Sequence, residues 1–265
     1  MQSDFPKSIF NVGSYPYIIL TFSISRQSVS KGNTLTGIKL YLAIFFVLLV
    51  TACEAKEKIN LLDFELSNFE NVYSFGQARF INGELHLISS KNWFFTTKQR
   101  YSNFILTADI KMPNVDEYSN SGIIFRGQIE HDNESKRVVG YQAEIDPSPR
   151  RWSGGLFDQG RRKWLYPEHP QRSHKDDDFI KSHLPAWSEQ QAEAYKPGEW
   201  NALRVVCDGS SIKIFLNGIL TTHVEDIKDD EGVIGLQHHG SKSYKESGLR
   251  DNVVRFKNIF IQELK

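Results

Sequence analysis

Two cysteines, Cys53 and Cys207, among 265 residues exclude a fold stapled by disulfides. Charge of neither sign is in excess: 32 Lys+Arg stand against 32 Asp+Glu. That balance argues against nucleic acid and against an anionic membrane surface as partners. No apolar run reaches the roughly 20 residues of a membrane-spanning helix. No Cys/His spacing matches a metal motif, and no repeat of fixed period appears. What is left is the composition of an ordinary globule, long enough for one large all-β sandwich or two small domains.

The strongest local signal lies near the start. Lys31 and Lys39 precede the apolar run Leu40–Val50, about eleven residues long. This is the length of a signal-peptide core. It ends in Val50-Thr51-Ala52-Cys53, which resembles the bacterial lipobox. Small residues let the backbone enter a peptidase site, and the Cys53 thiol then accepts a lipid. Residues 1–36 have no periodicity and hold the signal far from Met1, as a start codon assigned too far upstream would. The reading is therefore 37–53 as lipoprotein signal peptide, 54–60 as tether and 61–265 as one domain. It predicts an exported protein, periplasmic or at the cell surface, meeting the membrane through a lipid anchor only.

From Leu61 onward the pattern has period two. Phe104, Leu106, Ala108 and Ile110 share one face of a strand that Pro113-Asn114 follows. Leu203–Cys207 and Ile212–Leu216 flank Asp208-Gly209, and Asn217-Gly218 follows. Both dipeptides are strong hairpin signals. Val253–Ile261 alternates again. Many short strands with turns between them predict an antiparallel sandwich or jelly roll. Cys207 is in phase with Leu203 and Val205, as a small buried hydrophobe would be. Arg161–Lys196 breaks the rhythm as a long charged excursion, within which Ser188-Glu189-Gln190-Gln191 fits a capping box opening a short helix. His169, His174 and His183 lie in it without metal spacing.

Polar residues in phase on strands mark where chemistry can sit. Asn120-Ser121-Gly122-Ile123-Ile124-Phe125-Arg126 puts Asn120, Gly122, Ile124 and Arg126 on one face. Gln142, Glu144 and Asp146 share a face, opposite Tyr141, Ala143 and Ile145. Same-face neighbours lie about 7 Å apart. Two carboxylates at that distance can act on a sugar as acid and base, or bind a cation. Gln237 and His239 share a face with His238 on the other, and histidine suits proton transfer near neutral pH.

These blocks, with Gly154-Gly155-Leu156-Phe157-Asp158, Lys196–Asn201, Leu216-Asn217-Gly218, Gly232–Gly240 and Phe256–Ile259, resemble the 3-keto-disaccharide hydrolase domain family. The resemblance runs from about residue 60 to the end. Two departures bear on substrate: Phe157 stands where the family often has Tyr, and the connection from Trp164 to Tyr195 is longer. The resemblance implies a concanavalin A-like jelly roll of two antiparallel sheets, with a sugar groove and a loop and short-helix insertion. It implies structural roles for Trp200 (core or groove floor), Asn217-Gly218 and Asn258 (tying a strand end).

The family name implies glycosides already oxidised at C3. The ketone acidifies C2–H, a base removes it, the C1 substituent leaves and water adds. Glu144, Asp146 and His239 are the candidates for base and acid. Asn120, Arg126, Gln142 and Gln237 are the candidates for holding the sugar, with Arg162 and Trp164 reaching in from the excursion. A divalent cation on Glu144, Asp146 or His239 would polarise the ketone. Direct two-carboxylate hydrolysis is the other chemistry. Two other classes compete with an enzyme. A carbohydrate-binding module needs only aromatic platforms, for which Trp152, Trp164 and Trp187 are available. A structural surface protein would fill its groove with side chains.

Overall fold

Alternating apolar side chains, released at both ends by turn residues, become strands almost throughout. A computed structural model describes residues 56–132, 135–174 and 178–265. The signal-like run and Cys53 lie outside the described residues. The strands in chain order open with β1 (Ile59–Asn60), β2 (Phe69–Glu70), β3 (Gln77–Ile81) and β4 (Glu84–Ile88). The long central ones are β5 (Trp93–Tyr101), β6 (Phe104–Lys111), β7 (Ser121–Asp132) and β8 (Ser135–Ile145). Three short strands follow, β9 (Leu156–Gln159), β10 (Lys163–Tyr166) and β11 (Phe179–Ser182). Then come helix α1 (Glu189–Ala192), β12 (Asn201–Asp208), β13 (Ser211–Leu216), β14 (Ile219–Asp226) and β15 (Gly232–His238). Helix α2 (Lys242–Ser247) and β16 (Val254–Glu263) close the chain.

They form two antiparallel sheets. One runs β11-β14-β13-β12-β6-β16-β4-β3, with β1 on β16; the other runs β10-β9-β8-β7-β15-β5-β2. Leu106, Ile110, Val205, Ile214, Phe256 and Ile261 of the first pack on Trp93, Phe95, Phe125, Tyr141, Ala143 and Leu236 of the second. This is the jelly-roll sandwich that the alternation predicts. Asn217 (φ 48°) and Gly218 (φ 83°) make a two-residue hairpin turn, whose positive φ values favour this pair of residues. Cys207 is fully buried and its thiol is pushed up to about 12 by burial, so it is a core side chain. Asn258 bonds Asp109 at 2.7 Å from within β16, at the bulge between Lys257 and Phe260, so it ties an irregularity inside the strand and not a strand end. Trp200 is neither core nor groove floor. It is half-buried beside β12 on the nine-stranded sheet, under Arg255 and Lys257 of β16.

The excursion is more ordered than a loop. β10 extends the edge of one sheet, β11 extends the edge of the other, and Ser188 and Gln191 complete the capping box of α1. Arg162 fixes it. Its guanidinium is 1% exposed and pairs with Asp158 (2.5 Å), Asp226 (2.8 Å) and Asp178 (3.0 Å). Tyr141 donates to Asp226 at 2.6 Å. Arg162 therefore faces inward and is not at a groove mouth, because buried carboxylates hold a guanidinium more strongly than solvent at a rim would. Arg162→Ala would leave Asp226 buried without its cation, while Asp158 would keep Arg161 at 2.7 Å. We expect a loss of about 3–5 kcal/mol in chemical denaturation. A loss below about 1 kcal/mol would mean that water replaces the guanidinium freely.

Candidate functional site

Strand β8 builds the site. Tyr141, Ala143 and Ile145 enter the core, which turns Gln142 and Glu144 to the outer face of the seven-stranded sheet. Register completes the row: Glu144 lies opposite Gly122 on β7, and Leu236 opposite Ile123 sets Gln237 on the far side of Gly122. On the other flank the Glu144 amide donates to Gly155 O at 3.1 Å. Glu144 thus stands between two glycines. A Cβ on Gly122 would lie 2.5 Å from Ala143 O and 2.8 Å from Gln142 Nε2. A Cβ on Gly155 would lie 2.9 Å from Trp164 Cζ3. The first glycine lets Gln142 cross β7; the second lets the Trp164 indole lie next to Glu144.

The polar groups form one connected floor. Gln142 Nε2 donates to Gln237 Oε1 (2.7 Å), and Gln237 Nε2 donates to Asn92 Oδ1 (2.8 Å). Asn120 Nδ2 donates to Glu144 Oε1 at 2.6 Å. Three oxygens in this floor are buried and receive no donor: Glu144 Oε2, Asn120 Oδ1 and Gln142 Oε1. Unmatched buried acceptors are costly, so this set is suited to a ligand rich in hydroxyl donors.

Glu144 is 6% exposed, and burial raises its pKa to about 8; the Asp146 charge adds to the rise, while the Asn120 bond and Arg150 oppose it. The carboxyl therefore keeps its proton at neutral pH. Asp146 differs. Arg150 grips Asp146 Oδ2 through Nε (2.9 Å) and Nη2 (2.6 Å), and Ser148 N donates to Oδ1 (3.1 Å). His239 stands at the rim. Its backbone N donates to Asn120 O (3.3 Å), and its ring meets Tyr118 edge-on at 5.3 Å. Partial enclosure of the ring lowers its pKa, opposed by the nearby Asp146. His239 is then a neutral imidazole at neutral pH. His238 turns inward and bonds Asn252 O at 2.8 Å, a structural role.

The structure gathers Asn120, Gln142, Glu144, Asp146, Gln237 and His239 at one end of the sheet. It does not bring Arg126 there. A bulge after Phe125, with Arg126 at φ 47°, breaks the alternation. The Arg126 guanidinium bonds Ser102 O, Asp229 O and Asn103 Oδ1 instead, bracing turns at the opposite end. Trp164 is 5% exposed, a buried wall beside Glu144 with Trp152 and Phe157 edge-on to it. Trp187 packs on Tyr166 and donates to Arg151 O, away from the floor. Asn92, Tyr118 and Arg150 carry no sequence signal, since each lies in an irregular segment outside any alternating strand. The residues offered for a cation do not fit one. Asp146 has both oxygens engaged, and among the described residues no group of three His, Cys, Asp or Glu side chains converges. A cavity of about 970 Å³ opens beyond Tyr118 and Ser148 towards Lys111 and Arg250, and not over Glu144. Chemistry, not volume, selects the site.

A family model for the 3-keto-alpha-glucoside-1,2-lyase-like domain matches residues 58–262. The chain belongs to that family. Its members' name fits the oxygen-rich floor and makes the domain carbohydrate-active. A candidate glycosyl hydrolase from Parabacteroides distasonis ATCC 8503 shares the fold, with TM-score 0.50 and 16% identity over 78% of this chain and 94% of that one. The carbohydrate-binding module CBM66 from Bacillus subtilis gives TM-score 0.47 and 18% identity over 74% of this chain and 96% of that one. The kappa-carrageenase from Pseudoalteromonas carrageenovora gives 0.44 and 12% over 82% and 98%. No curated protein matches the chain by sequence.

The raised pKa of Glu144 has a consequence for stability. The folded domain holds this proton up to about pH 8, whereas an unfolded glutamate releases it near its ordinary value of 4.5. The associated stability is complete below the lower value and falls as pH rises through that window. Glu144→Gln, which mimics the protonated acid, removes the dependence. We expect variant and wild type to unfold alike near pH 5, and the variant to be more stable by a few kcal/mol near pH 8. Parallel curves across that range, in thermal or chemical unfolding, would show that Glu144 is charged in the folded domain.

Proposed function

We propose that the domain cleaves 3-keto-glycosides, disaccharides among them, by removal of the C2 proton, elimination of the C1 substituent and hydration of the resulting alkene. The observation that carries this reading is the buried Glu144 carboxyl with an unpartnered Oε2 beside a row of unmatched acceptors. The acceptors receive the hydroxyls of the sugar. Glu144, holding its proton at neutral pH, donates it to the departing glycosidic oxygen. His239, neutral and partly enclosed, takes the proton from C2, with the Asp146 charge close enough to stabilise the imidazolium that forms. Arg150 keeps Asp146 in place through a two-nitrogen grip on its carboxylate. The C2–H electron pair forms the C1=C2 double bond as the C1–O bond breaks; water then adds OH at C1 and H at C2.

The test is turnover of ethyl and 4-nitrophenyl glucosides, each oxidised at C3 or left as the parent. Wild type should release the alcohol from the keto forms alone. Glu144→Gln should lose about 10²–10⁴-fold on the ethyl substrate, and much less on 4-nitrophenyl, whose leaving group needs no proton. Equal losses on both would remove Glu144 as the acid. Cleavage of the parents would indicate an ordinary glycosidase, and glycan binding without release would indicate a binding module.

The same reading makes the domain an exported one, tethered through Cys53. Full-length protein produced in a bacterium should fractionate with membranes and label with a palmitate analogue, and Cys53→Ser should do neither. Labelling that survives the substitution would refute the anchor.

A further inference from the structure

The outer face of the seven-stranded sheet changes character across its width. Two rows of side chains cross it at Glu144. One runs Phe94, Gln237, Gly122, Glu144, Gly155; the next runs Thr96, Gly235, Ile124, Gln142, Phe157, Trp164. On the β15 and β7 side of Glu144 lie the amides of Gln237, Asn92 and Asn120. On the β9 and β10 side the side chains are rings. Phe157 is edge-on to Trp164 at 5.4 Å, Trp152 is edge-on to Trp164 at 5.0 Å, and His169 tilts over Trp152 at 5.7 Å. The His169 ring is held in place by its Nδ1, which accepts from Gln171 N at 3.1 Å. Trp164 is buried, so the surface a ligand meets is Trp152, Phe157 and His169, each half-buried. Adjacent strands are about 5 Å apart, so this wall begins one strand from Glu144 and extends over the second.

A sugar needs donors and acceptors for its hydroxyls, and among the described residues the side-chain amides Gln237, Asn92 and Asn120 that offer them lie on the β15 and β7 side of the acid. The group leaving from C1 therefore meets the ring side. We infer that the leaving-group subsite takes a flat apolar group, and that the preferred substrates are glycosides whose aglycone carries an aromatic ring. This rests on the cleavage proposed above. A ring stacked on one or two of these side chains gains roughly 0.5–1.5 kcal/mol per pair beyond its burial, which is several-fold to about tenfold in kcat/KM.

The experiment separates the wall from the chemistry. The 3-keto forms of 2-phenylethyl, ethyl and glucosyl glucosides share alkoxide-type leaving groups and differ in what reaches the wall. We expect wild type to prefer the phenylethyl substrate about tenfold over the other two. Trp152→Leu and Phe157→Leu should each shrink that ratio, and the double variant should bring it near one. Quenching of tryptophan fluorescence by unoxidised 2-phenylethyl glucoside, compared with ethyl glucoside, reads the same preference without turnover. Selective quenching with no turnover of any keto substrate would support the aromatic subsite while refuting the elimination reading. Turnover with equal rates on all three substrates would overturn the aromatic subsite and leave the elimination reading standing. A glucosyl preference as large as the phenylethyl one would make the wall a sugar platform and also overturn the inference.

Discussion

A carboxyl group removed from water without a counter-charge is the constraint around which this end of the domain is arranged. Glu144 has one amide donor, Asn120, and no cation in contact. Such a group is tolerated because it holds a proton, and it holds the proton because Trp164, Gln142 and the β7 backbone exclude water. Each neighbour follows from that. A charged side chain at position 142 would compete for the proton. A side chain on Gly122 would block the crossing of Gln142 to Gln237. Asp146 carries a charge two residues away, and Arg150 balances it. Two carboxyls two residues apart thus meet contrasting surroundings, burial around Glu144 and the Arg150 guanidinium on Asp146, and such contrast is what acid and base work uses.

Much of this was legible in the sequence, and the limits have physical causes. Period two on β8 put Gln142 and Glu144 opposite Tyr141 and Ala143, because one face of a strand belongs to the core wherever the sheet is packed. The same rule failed on the neighbouring strand β7. Arg126 is in phase with Asn120 and Ile124 by counting, but one extra residue at the bulge turns it towards Ser102 and Asp229. A bulge leaves only a weak trace in one sequence; here the trace is Gly127, followed by Gly232 on the partner strand, whose Cβ would lie 2.2 Å from the Arg126 carbonyl carbon. Arg162 was misplaced for another reason. Its partners Asp178 and Asp226 lie 16 and 64 positions away in the chain, and no local pattern reports a contact at such separation. Asn92, Tyr118 and Arg150 lie in segments without periodicity, so alternation says nothing of them.

The two misplaced arginines still bear on the site. Neither reaches a ligand, but Arg162 immediately precedes β10, and its three carboxylates come from β9, β14 and the turn before β11. It therefore fixes where β10 begins and with it the position of Trp164 two residues on. Trp164 covers the flank of Glu144 across Gly155. A buried ion network at one end of the edge strands thus sets the solvent exclusion that keeps a proton on a carboxyl at the other. Buried ion pairs add little net stability over apolar packing, yet they are poor at tolerating alternative registers, since any slip strands a charge. At a sheet edge, where β10 has a partner on one side only, that intolerance is useful. A slip of one residue would move Trp164 to the opposite face and open Glu144 to water. On this argument the excursion shapes the candidate site through its register, and its rings lie on the flank of the carboxyl that the proposed cleavage would use.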